Sequence, residues 1–329
     1  MGNFKTEKIK AHMSTEKVVE NLDSINVYPD ILGSYDHKIS PLDYLNAEAS
    51  NQNASALLIL NQQINMPYSL FLRVWNSSKL KVCADGGINQ LRKYTQLNSG
   101  LGSLVPDFVI GDLDSATDEN LNHYASRGTV KVLQDSQYYT DLTKSVTLIN
   151  AWFNHHQLID GLSSMNTVDD LEVHEEKEHG MCAKEKEGVN ILVIGGIGGR
   201  FDQTMSAINH IWNYTISRPH LKFLIVNPEH TELIILLKPG VNFVNYKRIT
   251  EEEELEIIGF NPVKSRHRLR NVGVLPLLDK AVITTKGLKW DVENWSTSVK
   301  SKMSSSNLQV GEEGFIIKTD EHLFISLEL

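Results

Sequence analysis

The stretch PDFVIGDLDSATDE, residues 106–119, decides how the chain is read. Three apolar residues, Phe108, Val109 and Ile110, run into Gly111, and Asp112 and Asp114 then flank a single leucine. If strand geometry continues briefly past the apolar run, side chains two apart point the same way. Like charges on one side repel unless a cation or a proton sits between them. A solvated turn is the other reading, since Gly, Asp and Ser are ordinary turn residues.

Outward from this stretch, short apolar runs recur: LLIL (57–60), KVCA (81–84), VKVL (130–133), ILVI (191–194) and FLIV (223–226). Helical spacing lies between most of them. Leu142, Val146, Ile149 and Phe153 share one helical face, as do Met205, Ile208 and Trp212. Strands without polar alternation, separated by helices, predict a parallel sheet covered on both sides. After Pro228 the runs ELIILL, VNFV, LEIIGF, VGVLPL, KAVITT, GFIIKT and LFISLEL follow one another with Gly, Pro and Asn turns and no convincing helix. They predict an antiparallel all-β sandwich. The expected organisation is a polar N-terminal extension over 1–54, an α/β domain over 55–228 and a β domain over 229–329. Ala-His-Met at 11–13 resembles a cloning scar, which would make residues 1–12 non-native.

Residues 154–188 interrupt the α/β pattern with nine acidic residues against three lysines and no sustained apolar period. They read as an acidic surface insertion, mobile or disordered. His174, His179 and Cys182 within it are spaced too loosely to read as a zinc site. The whole chain, 41% hydrophobic and 22% charged, can bury a sizeable core. A net charge of −9 without a basic stripe argues against a nucleic-acid partner. No apolar run approaches a bilayer-spanning length. Two cysteines, Cys83 and Cys182, fit a reducing, cytoplasmic setting.

In an open parallel sheet, ligands bind beyond the carboxyl ends of the strands. The residues there are Asn61 and Gln62; Asp85, Gly86 and Gly87; Gly111, Asp112, Asp114 and Ser115; QDSQYYTD ending in Asp141; and GGIGGRFDQ, 195–203. Strand-to-helix turns favour Gly and Asp, which accounts for any one of these. Four aspartates on a single rim would repel without counter-ions, so the rim calls for Mg²⁺, whose usual company is one or two carboxylates and substrate phosphates. Gly195, Gly196, Gly198 and Gly199 let backbone approach a phosphate, and Arg200 adds a charged fork. This is neither a dinucleotide fingerprint nor a P-loop.

ADGG (84–87), GDLDS (111–115), TDLTK (140–144), GGIGGRFDQT (195–204), TTKGLKWD (284–291) and SSSN (304–307) together resemble thiamine pyrophosphokinase, in its fungal form. The resemblance covers about residue 55 to the C-terminus. It implies a Rossmann-like α/β domain followed by a β-sandwich, a homodimer with sites between subunits, and transfer of a diphosphoryl group from ATP to thiamine with Mg²⁺. Carried onto this chain, it implies a metal held by Asp112, Asp114 and Asp141, with Asp85 a further catalytic candidate. ATP would meet Asn61, Gln62, Gly86, Gly111, Ser115, Lys144, the four glycines and Arg200. Thiamine would meet Gln137, Asp202, Trp290, Ser305, Ser306 and Asn307. Lys144 and Asp202 also read as a solvent-facing lysine and a helix-start residue, and Trp290 as a core residue. Where the family often has acidic and His residues, this chain has Tyr138 and Tyr139, so roles there do not carry over.

Overall fold

The computed structural model describes residues 16–27, 34–44, 54–98, 100, 102–162, 171–179, 186–227, 232–247 and 269–328. They form two compact units: one from the described residues up to Leu42 and those from Glu232 onward, the other from Asp43–Thr231. Strands β1 (Lys17–Glu20) and β2 (His37–Ile39) precede the α/β unit in the chain. That unit's strands are β3 (Ala54–Ile59), β4 (Leu80–Ala84), β5 (Phe108–Gly111), β6 (Val130–Leu133), β7 (Val189–Ile194) and β8 (Leu221–Asn227). Between them run helices α1 (Tyr68–Ser77), α2 (Gly87–Leu97), α3 (Asp118–Ala125), α4 (Asp141–Asn154), α5 (His156–Gly161), α6 (Leu171–His179) and α7 (Phe201–Ser217).

The α/β strands pair in the order β8-β7-β3-β4-β5-β6, every pair parallel. Leu57, Leu58 and Ile59 on β3 are all fully buried, as a strand covered on both faces requires. Each is worth roughly 1.5–3 kcal/mol relative to exposure. β6 departs from that pattern. It is the edge strand, and Val130 and Leu133 are exposed. Helix α4 buries Leu142, Val146, Ile149 and Phe153 as their spacing predicts. On α7 the stripe is displaced: Met205 is exposed, and Ala207, Ile208, Ile211 and Tyr214 are the buried face. Both sets fit a 3.6-residue period, and contact with the sheet selects the second.

The later strands are β9 (Glu232–Leu237), β10 (Gly240–Val244), β11 (Asn271–Leu275), β12 (Ala281–Lys286), β13 (Trp290–Glu293), β14 (Trp295–Thr297), β15 (Ser304–Leu308), β16 (Phe315–Thr319) and β17 (Leu323–Glu328). They form the antiparallel arrays β15-β11-β17-β9 and β14-β12-β16-β10, and β2 adds in parallel to β10. The run LEIIGF lies outside the described residues. Residues 304–307 belong to strand β15.

Two segments expected to pack loosely are built into these units. In the N-terminal extension, β1 pairs with β13 and β2 with β10. In the acidic insertion, α6 places Leu171, Glu172 and Glu175 in the interior. Glu175 is not left to solvent because its carboxylate meets the Arg218 guanidinium and the Asn150 amide. A stripe made of one leucine and a paired carboxylate leaves no apolar period to read. Cys182 and residues 1–12 lie outside the described residues. No described helix is long and apolar enough to cross a membrane.

Candidate active site

The chain leaves β3 for β4 on one side and later returns through β7 on the other, so the sheet has a switch point between β3 and β7. A cleft of about 510 Å³ opens at these carboxyl ends. Asn61, Gln62, Asp85, Asp112, Ser115, Gln137, Asp141, Lys144, Gly195, Gly196 and Arg200 line it. Gln62 ties its two sides together, donating from Nε2 to the Gly198 carbonyl.

Asp85, Asp112 and Asp141 each bring a carboxylate oxygen within 4.8 Å of the other two. β4 and β5 are neighbours, so the residues following them meet, and Asp141 enters at the start of α4. Gly111 makes the approach feasible. Its φ is +154°, and a Cβ there would stand 2.9 Å from both the Asp85 Cβ and an Asp141 carboxylate oxygen. Thr140 caps α4 through its hydroxyl, which accepts the Thr143 amide at 3.2 Å.

Asp114 stands outside this group of three. The extended geometry that would align it with Asp112 ends at Gly111, and Leu113 takes a left-handed φ of +60°. Asp114 is exposed, accepts from the Ser115 hydroxyl at 3.0 Å, and gives its amide to Asp112 Oδ1 at 3.3 Å. Asp85 has a left-handed φ of +40° in a non-glycine residue, a conformation retained where surrounding structure enforces it.

The electrostatics follow from this crowding. Burial pushes the Asp141 carboxyl up to about 6; Lys144 opposes the rise, and Asp85, Asp112 and Asp114 add to it. Asp112 is held below the ordinary carboxylate value, chiefly because Gln137 donates to it at 2.6 Å. Lys144 is buried, 1% exposed, which removes its solvent-facing reading. Its ammonium donates to the Gln134 carbonyl at 2.9 Å and lies 3.7 Å from Asp141. Oxygen-only donors on three convergent carboxylates fit a hard divalent cation.

The glycine loop turns through left-handed φ at Gly195, Gly198 and Gly199. It ends at Arg200, whose exposed guanidinium pairs with Asp202 in the same turn. Gly86, Gly111, Gly198, Gly199, Asp114 and Asp202 shape the neighbouring turns rather than line the cleft.

In the β unit, Trp290, Ser306 and Asn307 line a second pocket of about 290 Å³. Ser305, next along β15, does not line it. Trp290 is 37% exposed, which excludes a wholly buried core residue, and the Lys289 ammonium sits 4.8 Å from its ring centroid. That ring face already accepts a cation. The Asn307 amide is turned to the protein: Oδ1 accepts the Trp290 amide at 3.1 Å, and Nδ2 donates to the Trp290 carbonyl at 2.8 Å. Asn307 therefore fixes the backbone of Trp290.

Three positioning residues were given no role from the sequence. Asn89 donates to the Ser115 carbonyl at 2.7 Å and accepts the Thr117 amide at 3.1 Å, holding the loop after Asp114. Gln134 links β5 to α6: its amide donates to the Gly111 carbonyl, and its side chain accepts the Leu171 amide at 3.0 Å. Asp291 is buried and accepts from the Thr285 hydroxyl and the Gly287 and Leu288 amides. Only its place in the GLKWD run marked it.

A parallel sheet with an acidic cleft at its switch point, joined in one chain to a β unit with an aromatic pocket, defines a phosphoryl-transfer class of two-unit enzyme. Residues 71–223 match the family described as "Thiamin pyrophosphokinase, catalytic domain", and 250–324 match "Thiamin pyrophosphokinase, vitamin B1 binding domain". Thiamine pyrophosphokinase of Saccharomyces cerevisiae is 30% identical over 96% of this chain and 97% of its own length. Thiamine pyrophosphokinase 1 of Arabidopsis thaliana is 27% identical over 86% of this chain and 89% of its own. The solved structure of the Candida albicans thiamin pyrophosphokinase superposes with a TM-score of 0.81 at 32% identity, covering 95% of this chain and 98% of that one. The chain belongs to the thiamine pyrophosphokinase family of enzymes.

Proposed function

We propose that this chain transfers the diphosphoryl group of ATP to the hydroxyl of thiamine, giving thiamine diphosphate and AMP. The observation that carries the reading is the convergence of Asp85, Asp112 and Asp141 at the sheet's switch point, in a chain of this family. These three carboxylates would hold Mg²⁺, which when bound neutralises charge on the phosphate oxygens. Gln137 keeps Asp112 ionised and oriented. Lys144 offsets the charge of Asp141 from the interior. The Gly195–Gly199 turn presents backbone to phosphate at the start of α7, where the helix dipole favours anions. Arg200 would exchange its partner Asp202 for a phosphate oxygen.

Phosphoryl transfer asks the protein for position and charge compensation more than for covalent chemistry. As the thiamine hydroxyl oxygen bonds to the β-phosphorus, a clustered carboxylate takes its proton. The oxygen bridging the α- and β-phosphorus leaves with AMP. Trp290 offers its face to the cationic, aromatic substrate. The enzyme would work as a cytoplasmic homodimer, which mass measurement in solution tests directly.

Chromatography of the nucleotides formed with ATP, Mg²⁺ and thiamine tests the reaction. One AMP should appear per thiamine diphosphate. ADP in its place would mean a simple kinase, and thiamine binding without turnover a sensor.

A further inference from the structure

We propose that the N-terminal strand β1 is a wall of the aromatic pocket, and that Val18 is a specificity residue for the substrate seated on Trp290. The inference rests on the reading of that pocket as the thiamine pocket and adds a segment outside both matched family regions, 71–223 and 250–324.

The register of β1 on β13 is the first observation. Val18 stands opposite Val292 and Glu20 opposite Trp290, while Lys17 and Val19 oppose Glu293 and Asp291. Strand side chains alternate between faces, so Val18 shares a face with Val292 and Trp290. The pocket's lining is the second: Val18 borders it with Trp290, Val292, Trp295 and Met303, whereas Val19 does not. Two adjacent valines on an exposed strand thus have opposite relations to the cavity.

The way β1 is held is the third observation. Asn21, just beyond its end, donates from one amide nitrogen to the Asp291 carboxylate and to the Leu288 carbonyl, each at 2.7 Å. Its own backbone amide reaches the Lys289 carbonyl at 2.7 Å. At the other end, Glu16 accepts the Ser296 amide at 3.0 Å and pairs with Lys302 at 2.6 Å. The Trp290 backbone is therefore gripped by Asn307 on one side and by β1 on the other. The strand is fastened at both ends although its four residues are all exposed. An exposed strand so fastened has its valine where a ring lying on Trp290 would touch it.

The test compares full-length Val18→Ala, Val19→Ala, Asn21→Ala and Trp290→Ala. Each is assayed for the KM of thiamine and of ATP, and for quenching of tryptophan fluorescence by thiamine without ATP. Val18→Ala should raise the thiamine KM and the quenching midpoint about fivefold, from the loss of apolar contact. Asn21→Ala, which releases the strand, should raise both about tenfold. Val19→Ala should leave both within about twofold, and the ATP KM should stay within about twofold throughout. A merely structural strand would respond alike to the two valine changes. Equal effects at Val18 and Val19, or none at Val18 and Asn21 while Trp290→Ala weakens thiamine, would overturn the wall. If Trp290→Ala itself leaves thiamine binding untouched, the pocket assignment fails and the inference with it.

Discussion

Helix α4 joins two knots of carboxylate that differ in how their charge is met. At its start, Asp141 faces Asp85 and Asp112, with the Lys144 ammonium as the nearby cation. Toward its far end, Asn150 donates from Nδ2 to Glu175, which is paired with Arg218, and its Oδ1 accepts a hydrogen bond from His220 Nε2 at 2.8 Å. The second knot is the more buried, and its carboxylate comes from the acidic insertion. Its pairing makes it architecture. The first knot is under-compensated and opens to a cleft, which makes it a site. Acidic composition does not separate the two cases; compensation and access do.

The sharpest way to break this contrast is to neutralise one carboxylate at a time. Asp85→Asn and Asp112→Asn should each lower kcat for AMP release by about 10²–10³-fold while melting temperatures stay near that of the parent. Asp114→Asn, outside the group of three, should lose less than about tenfold at saturating Mg²⁺. The reverse order would restore the pairing of Asp112 with Asp114 that strand alternation suggests. Circular dichroism on the same samples confirms that the folds are intact.

The Glu175 knot should answer the opposite way, in stability. Glu175→Ala leaves the partly buried Arg218 guanidinium without its carboxylate, at a cost approaching that of a broken buried pair, about 3–5 kcal/mol. Chemical denaturation should show that loss, with AMP release in native buffer changed by no more than a few fold. The double variant Glu175→Ala, Arg218→Met should recover part of it, since the stranded charge goes too. A large kcat loss in a folded Glu175→Ala protein would mean that the far end of α4 sets the catalytic end.

The smallest effect is a pH dependence. The His220 imidazole is pushed down to about 4, chiefly by burial, with Lys186, Arg218 and His155 adding to it. Glu175 faces the same group from α6 through Arg218 and Asn150. Between an unfolded value near ~6.5 and this lowered one, the unfolded chain binds a proton that the folded chain refuses. Stability should therefore fall as pH drops from about 6.5 toward 4, with no further contribution below. In His220→Gln, the melting temperature should decline less over that window. An unchanged slope would mean that His220 takes up its proton without penalty in the fold.

Local pattern alone determined the elements whose neighbours do not matter to their identity. The runs LLIL, ILVI and FLIV became neighbouring parallel strands because unbroken apolar residues are best covered on both faces. The rim residues followed, since each strand's end carries its own turn to one edge of the sheet. Tertiary structure decided which rim carboxylates converge. Strand order sets Asp85 beside Asp112, the left-handed Leu113 turns Asp114 away, and Gly111 leaves room for Asp141. It also decided that α6 is interior, through a carboxylate that needs Arg218, and that β1 belongs beside β13, some 270 positions away in the case of Asn21 and Asp291. A charge partner or a strand neighbour supplied from far along the chain leaves no local period, so only the folded chain reveals it.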